Sequence, residues 1–119
     1  MNEPTSALDA SAVEQLRRLG GQQFVVEMID LFLDHGPERL DAIRNGMGAD
    51  NATLVFQAAH SLKSTAGSLG GRVVQNLAQE IETLAADGDL DGAAQLVERL
   101  VVGFDEFRTH LELERNRAS

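Results

Sequence analysis

Apolar residues recur at helical spacing along nearly the whole of this 119-residue chain. At about 100° per residue, Val25, Met28, Ile29, Phe32, Leu40, Ile43 and Met47 share one face of a segment. That segment opens at Gln22 and closes at Gly46-Met47-Gly48. Gly36-Pro37 interrupts it. Proline removes a backbone donor, but the apolar phase resumes on the same face, so a kink rather than a break is expected. A shorter stripe, Val13, Leu16 and Leu19, precedes it and stops at Gly20-Gly21, a glycine stop signal. Asp9 can cap this first helix with a Leu8–Val13 staple, and Ser11 with Glu14 is a competing capping box.

Asp50 or Asn51 can cap a third helix that ends at Gly70-Gly71. A fourth spans about Arg72 to Ala86, with Val73, Val74, Leu77, Ile81 and Leu84 inward. Asp87-Gly88-Asp89 reads as a turn. A fifth starts near Asp91 with Ala93, Leu96, Val97, Leu100, Val101, Phe104, Phe107 and Leu111 as its stripe. Gly103 lies inside it, at a cost of roughly 1 kcal/mol relative to alanine. Short connections favour antiparallel neighbours. The expected fold is therefore all-α: an antiparallel up-down-up-down four-helix bundle with a short additional N-terminal helix. Residues 8–114 form the domain, 1–7 a disordered polar tail, and 115–119 a frayed end.

The third helix carries a polar face that this core pattern does not need. Val55, Ala58, Ala59, Leu62, Ala66 and Leu69 fall on one side. His60, Lys63, Ser64 and Gly67 fall on the other, flanked by Phe56 and Gln57. Lys63 lies nearly one turn beyond His60, where side chains are neighbours. Ser64 and Gly67 keep the adjoining surface low, so a partner can approach. A neutral imidazole is a good nucleophile near neutral pH. Towards a phosphoryl donor it can form an N–P bond, with Lys63 offsetting the oxygens' charge and Ser64 donating a hydrogen bond. The plainer reading of His60 is a solvated surface residue.

In an antiparallel hairpin about Gly70-Gly71, the residues opposite His60 lie near Gln79 to Glu82. Either could bond the non-reacting imidazole nitrogen and fix its tautomer, and either could equally be part of a solvated polar face. Phe56 suggests partner docking, against packing on a neighbouring helix. His35 and His110 have no comparable setting.

Composition removes several other chemistries. There is no cysteine, hence no disulfide, thiolate ligand or cysteine nucleophile, which suits a reducing cytosol. A net charge of −9 and the absence of Trp and Tyr argue against nucleic acid and anionic membranes as partners. No stretch approaches a membrane span, and the N-terminus is no signal peptide. No Glu-x-x-His occurs and inward positions are apolar, so no metal site is expected in the bundle. With no glycine-rich nucleotide loop, whatever phosphorylates His60 must be another protein or domain.

The run His60-Ser61-Leu62-Lys63-Ser64-Thr65-Ala66-Gly67-Ser68-Leu69-Gly70, preceded by Ala59, resembles the signature of histidine-containing phosphotransfer (HPt) domains. That signature is His-x-Leu-Lys-Gly/Ser followed by small residues and a glycine. Leu16 to Phe24, then Leu31-Phe32 and Pro37, is similar to the first two helices of bacterial members. The resemblance spans Leu8 to Leu111. It implies a phosphorelay carrier rather than an enzyme: His60 takes a phosphoryl group from a receiver-domain aspartate and passes it to another. Its implied partners are response-regulator receivers and a hybrid sensor histidine kinase. Mg²⁺ is expected on the receiver, and this chain is expected to need no cofactor, to be monomeric and to be cytoplasmic. Lys63 matches the family's phosphohistidine-stabilising lysine. Where some members place a histidine-bonding glutamine, this chain has Glu82. Two other readings stay open: a helical adaptor that docks a receiver or kinase without phosphotransfer, and a chemotaxis-kinase-type domain cut from a longer chain.

Overall fold

The structure is a computed structural model that describes residues 7–118. The polar tail expected at residues 1–7 lies outside the described residues except for Ala7. All regular structure among the described residues is helical: α1 Ala10–Gly48, α2 Ala52–Ser68, α3 Arg72–Ala86 and α4 Leu90–Ala118.

The expected short first helix and long second helix are two arms of α1, joined at Gly21, whose φ of 83° and ψ of −177° are not helical. That backbone region is open to glycine almost alone. The side chain of Arg17 donates to Gln22 across the bend. Asp9 caps the first arm, accepting from the Ser11 N–H at 3.0 Å and from its hydroxyl. The competing capping box does not form, because Glu14 pairs with Arg17 instead. Leu19 is also not a core residue: it is 75% exposed. At 100° per residue it sits about 240° from Val13, off the stripe. At Pro37 α1 runs on without a break, as the continuous phase requires.

Asn51 caps α2 by accepting the Leu54 N–H at 3.1 Å. Asp89 does the same for α4 through the Gly92 N–H at 2.8 Å, so α4 starts at Leu90. Each helix packs on its neighbour in sequence, and α4 closes the ring on α1. The pairings run antiparallel: Gly46 lies on Val55 and Arg39 on Ser61, Gly67 on Gln75 and His60 on Glu82, and Gly71 on Phe107 and Gly103 on Val73. The core holds Ile29, Ile43, Leu62, Ile81, Leu100 and Leu111. Phe32 anchors it, with ring centroids 5.5 Å from Phe104 and 5.2 Å from Phe107. Where fraying is expected from residue 115, α4 instead continues to Ala118, and Arg115 pairs with Asp30 of α1.

The α2–α3 turn is pinned from outside. The Asp9 N–H donates to the Gly70 carbonyl at 2.7 Å, and Arg72 pairs with the Asp9 carboxylate at 3.2 Å. Gly70 has φ 84°, and a Cβ there would lie 2.4 Å from the Asp9 carbonyl oxygen. This clamp holds the hairpin that carries the polar face.

Candidate functional site

The apolar side of α2 is buried as the pattern demands: Val55, Ala58, Ala59, Leu62, Ala66 and Leu69 are all in the core. That burial fixes the helix rotation and turns His60 outward, with 59% of its side chain exposed. Phe56, one turn earlier, is half-buried and packs on the edge of the core. Its ring lies nearly parallel to the imidazole, 10° between planes and 6.2 Å between centroids. It therefore limits where the imidazole can swing.

Glu82 of α3 reaches the same point from the other side. Its Oε2 is 2.8 Å from His60 Nδ1, and its Oε1 is 2.7 Å from Lys63 Nζ. Oε1 is buried and makes no other hydrogen bond. Glu82 is only 8% exposed, the one buried charged residue among those described. Burial pushes its pKa up, but hydrogen bonds and charge from Lys63 and His60 outweigh burial and hold the carboxyl below its ordinary value. The group is thus a carboxylate, which only accepts hydrogen bonds. The bridging hydrogen therefore sits on Nδ1, so that in the neutral ring Nε2 is the nitrogen with the lone pair.

Gln79 does not reach His60. It is exposed and bonds Thr83 within α3. Lys63 is half-buried, its side chain 23% exposed, and is tied to Glu82 rather than free on the surface. Ser64 is exposed and bonds Ser68 only through its carbonyl, which leaves its hydroxyl available. Gln57 is exposed beside His60. Gly67 is not an open gap for a partner: a Cβ there would meet Gln75 Nε2 at 2.7 Å. Its missing side chain makes room for Gln75, which Arg72 holds at 2.9 Å while also donating to the Gly67 carbonyl at 3.0 Å.

Sequence reasoning misses two features here. One is this Arg72–Gln75 brace, which the hairpin arithmetic could have found, since Gly67 and Gln75 are equally far from Gly71. The other is a cleft of about 260 Å³ between α1 and α2. Its apolar wall is Met28, Leu31 and Phe32, and its α2 side includes Ser61 and Ser64, next to His60. Leu31 is one of few large apolar residues left exposed. Arg39 donates to Ser61 at 3.0 Å on its rim. His35 lines the cleft and faces Glu38, so it is no part of the His60 cluster. His110 is exposed on α4. No group of three or more metal-ligating side chains occurs among the described residues.

A family model described as Hpt domain matches residues 27–117. The sensor protein TorS of Escherichia coli K12 is 30% identical over 76 residues, which are 64% of this chain and 8% of that protein. The chain thus spans a small part of the curated relative it matches. Among solved structures, histidine-containing phosphotransfer protein B of Pseudomonas aeruginosa PAO1 superposes with a TM-score of 0.87 at 25% identity, over 93% of this chain and 96% of that one. The HPT domain of a sensor hybrid histidine kinase from Shewanella shares the fold, with a TM-score of 0.81 at 16% identity and 97% of each chain covered. The helical ring, the outward histidine and the family match over most of its length agree: the chain belongs to the Hpt domain family.

Proposed function

We infer that this protein is a phosphorelay intermediate that carries a phosphoryl group on Nε2 of His60. The observation that carries this reading is an exposed imidazole whose other nitrogen is held by an ionised carboxylate, inside an Hpt domain. Fixing Nδ1–H leaves Nε2 as the nucleophile. Lys63, drawn to the same carboxylate, supplies a cation beside the incoming phosphoryl oxygens, and the Ser64 hydroxyl can donate to them.

The donor is a receiver-domain aspartyl phosphate, such as that of a hybrid sensor histidine kinase, and the acceptor is the aspartate of another response regulator. The receiver brings Mg²⁺, and this chain acts as a carrier without an ATP site of its own. Phe56, Gln57 and the α1–α2 cleft form the docking surface. A cysteine-free acidic monomer acting in the cytoplasm suits this role, and no helix among the described residues is long and apolar enough to cross a membrane. No specific observation favours an adaptor without phosphotransfer.

The test is label transfer from a phosphorylated receiver. Wild type is expected to gain acid-labile, base-stable label, and His60→Gln to gain none. Label that persists in His60→Gln overturns the assignment. A wild type that binds the receiver but takes no label points to the adaptor.

A further inference from the structure

The ring order of the helices gives α4 an outward side diagonal to α2, and therefore on the far side of the bundle from His60. Val102 stands in the middle of that side and is 57% exposed. Furrows run along both flanks of this valine, about 570 Å³ against α3 and about 490 Å³ against α1. In the first, Val73 and Leu77 of α3 make one wall. Gly103 makes the floor, with Val73 Cγ1 3.1 Å from where its Cβ would stand. In the second, Pro37 and Leu40 of α1 lie against Phe104. Glu80, Glu98 and Glu106 rim the first furrow, with Arg99 as its one cation, and all four are exposed. Among the described residues none of these three carboxylates takes part in an ion pair. Arg108 and Arg115 of the same helix are committed to Asp105, Glu112 and Asp30.

We propose that the Val102 ridge and its two furrows are a second docking surface, whose occupant is a basic amphipathic helix of a partner protein. The drive is apolar: an exposed valine between apolar furrows leaves water only when an apolar surface covers it. The shape asks for a helix. Grooves between helices receive the side-chain ridges of another helix, and the described residues offer no strand edge for an extended peptide. Apolar residues spaced i, i+3, i+4 and i+7 straddle a central ridge and fill a furrow on each side. Lysines or arginines beside them meet Glu80, Glu98 and Glu106, which no cation of this chain neutralises. A second copy fits worse, because it brings these carboxylates onto one another between molecules of net charge −9. The same charge turns away nucleic acid and anionic membranes. Binding at this surface is independent of His60. On the proposed function it has one consequence: a helix on α4 and a receiver at His60 can be held at the same time.

The experiment titrates the full chain with a synthetic leucine–lysine helix of about five turns, its leucines at i, i+3, i+4 and i+7. Amide NMR is expected to shift signals along Val73–Glu80 and Glu98–Glu106 and to leave those of His60 and Met28 in place. Val102→Asn should weaken binding about tenfold, and Glu98→Gln with Glu106→Gln about fivefold at low salt. These three positions are exposed, so the variants are expected to keep the wild-type circular dichroism spectrum. A scrambled peptide of the same composition, and one with glutamate for lysine, should not bind. Absence of binding, shifts centred on another face, equal binding of the scrambled peptide or an unchanged affinity in Val102→Asn each overturns the proposal. So does a wild-type dimer in sedimentation that Val102→Asn abolishes, since the occupant is then a second copy. Label transfer to His60 is also followed with the peptide in excess. Unchanged transfer is expected, and blocked transfer overturns the separation of the two surfaces. If His60 takes no label even without peptide, the phosphorelay reading falls while the map of peptide binding stands.

Discussion

His60 and Lys63 hold opposite oxygens of one buried carboxylate, so neither can be altered without changing the surroundings of the other. Lys63→Ala leaves Glu82 Oε1 buried with no partner, and an orphaned buried acceptor costs about 1–3 kcal/mol. That substitution is expected to slow phosphotransfer and also to lower stability by about this amount in urea denaturation. In a Glu82→Gln background the same change should cost less, because no buried charge is stranded. Equal costs in the two backgrounds would contradict the coupling. The sequence alone shows the exposed histidine and the lysine one turn on. It shows Gln79 and Glu82 as rivals for the imidazole, because hairpin arithmetic has a tolerance of several residues. Side-chain register, set by the packing of Ala78 and Ile81 in the core, makes Glu82 the partner. Gly67 is misread from sequence for a related reason. A small residue that admits a partner and one that admits a neighbouring helix's side chain look alike in a single chain.

Element boundaries were largely legible, because the caps and stops are chemical. Asp9, Asn51, Gly70-Gly71 and Asp87-Gly88-Asp89 sit where the helices begin or end. The direction of the first arm is not legible, since the rotation at Gly21 is a backbone property; Leu19 is misplaced for another reason, its angular position off the Val13–Leu16 stripe. Two of the three positive-φ glycines, Gly21 and Gly70, separate strain from contact. Gly21 has open space around it, so Gly21→Ala costs only the backbone strain, about 1–3 kcal/mol. Gly70 adds a Cβ clash with the Asp9 carbonyl, so Gly70→Ala is expected to cost more. It should also speed hydrogen exchange along residues 10–20 by loosening the clamp. Denaturation of the two variants, with exchange measured by mass spectrometry, checks this ordering. A costlier Gly21→Ala would mean the clamp matters little.

Acid should weaken the whole molecule through its paired carboxylates. Glu82, Asp9 and Asp30 are all held below the ordinary carboxylate value. For Glu82 burial opposes the shift, and Lys63 and His60 outweigh it. For Asp9 the cause is chiefly the hydrogen bonds from Ser11, and for Asp30 the hydrogen bond from Arg115. A depressed folded-state pKa contributes stability above the unfolded value, near 4, that is lost as pH falls through the folded value. The urea midpoint is therefore expected to drop as pH is lowered below about 4. The drop should be shallower in a Glu82→Gln, Asp30→Asn double variant, and an unchanged slope would rule these groups out as its source. The proposed reaction centre, for its part, is confined to one hairpin: His60, Lys63 and Glu82 come from α2 and α3, whereas the apolar wall of the neighbouring cleft comes from α1. On the proposed function, drift at Met28 or Leu31 would remodel the α1 share of the docking surface and leave His60, Lys63 and Glu82 untouched, whereas the α2 share of that surface is tied to the helix that carries the histidine.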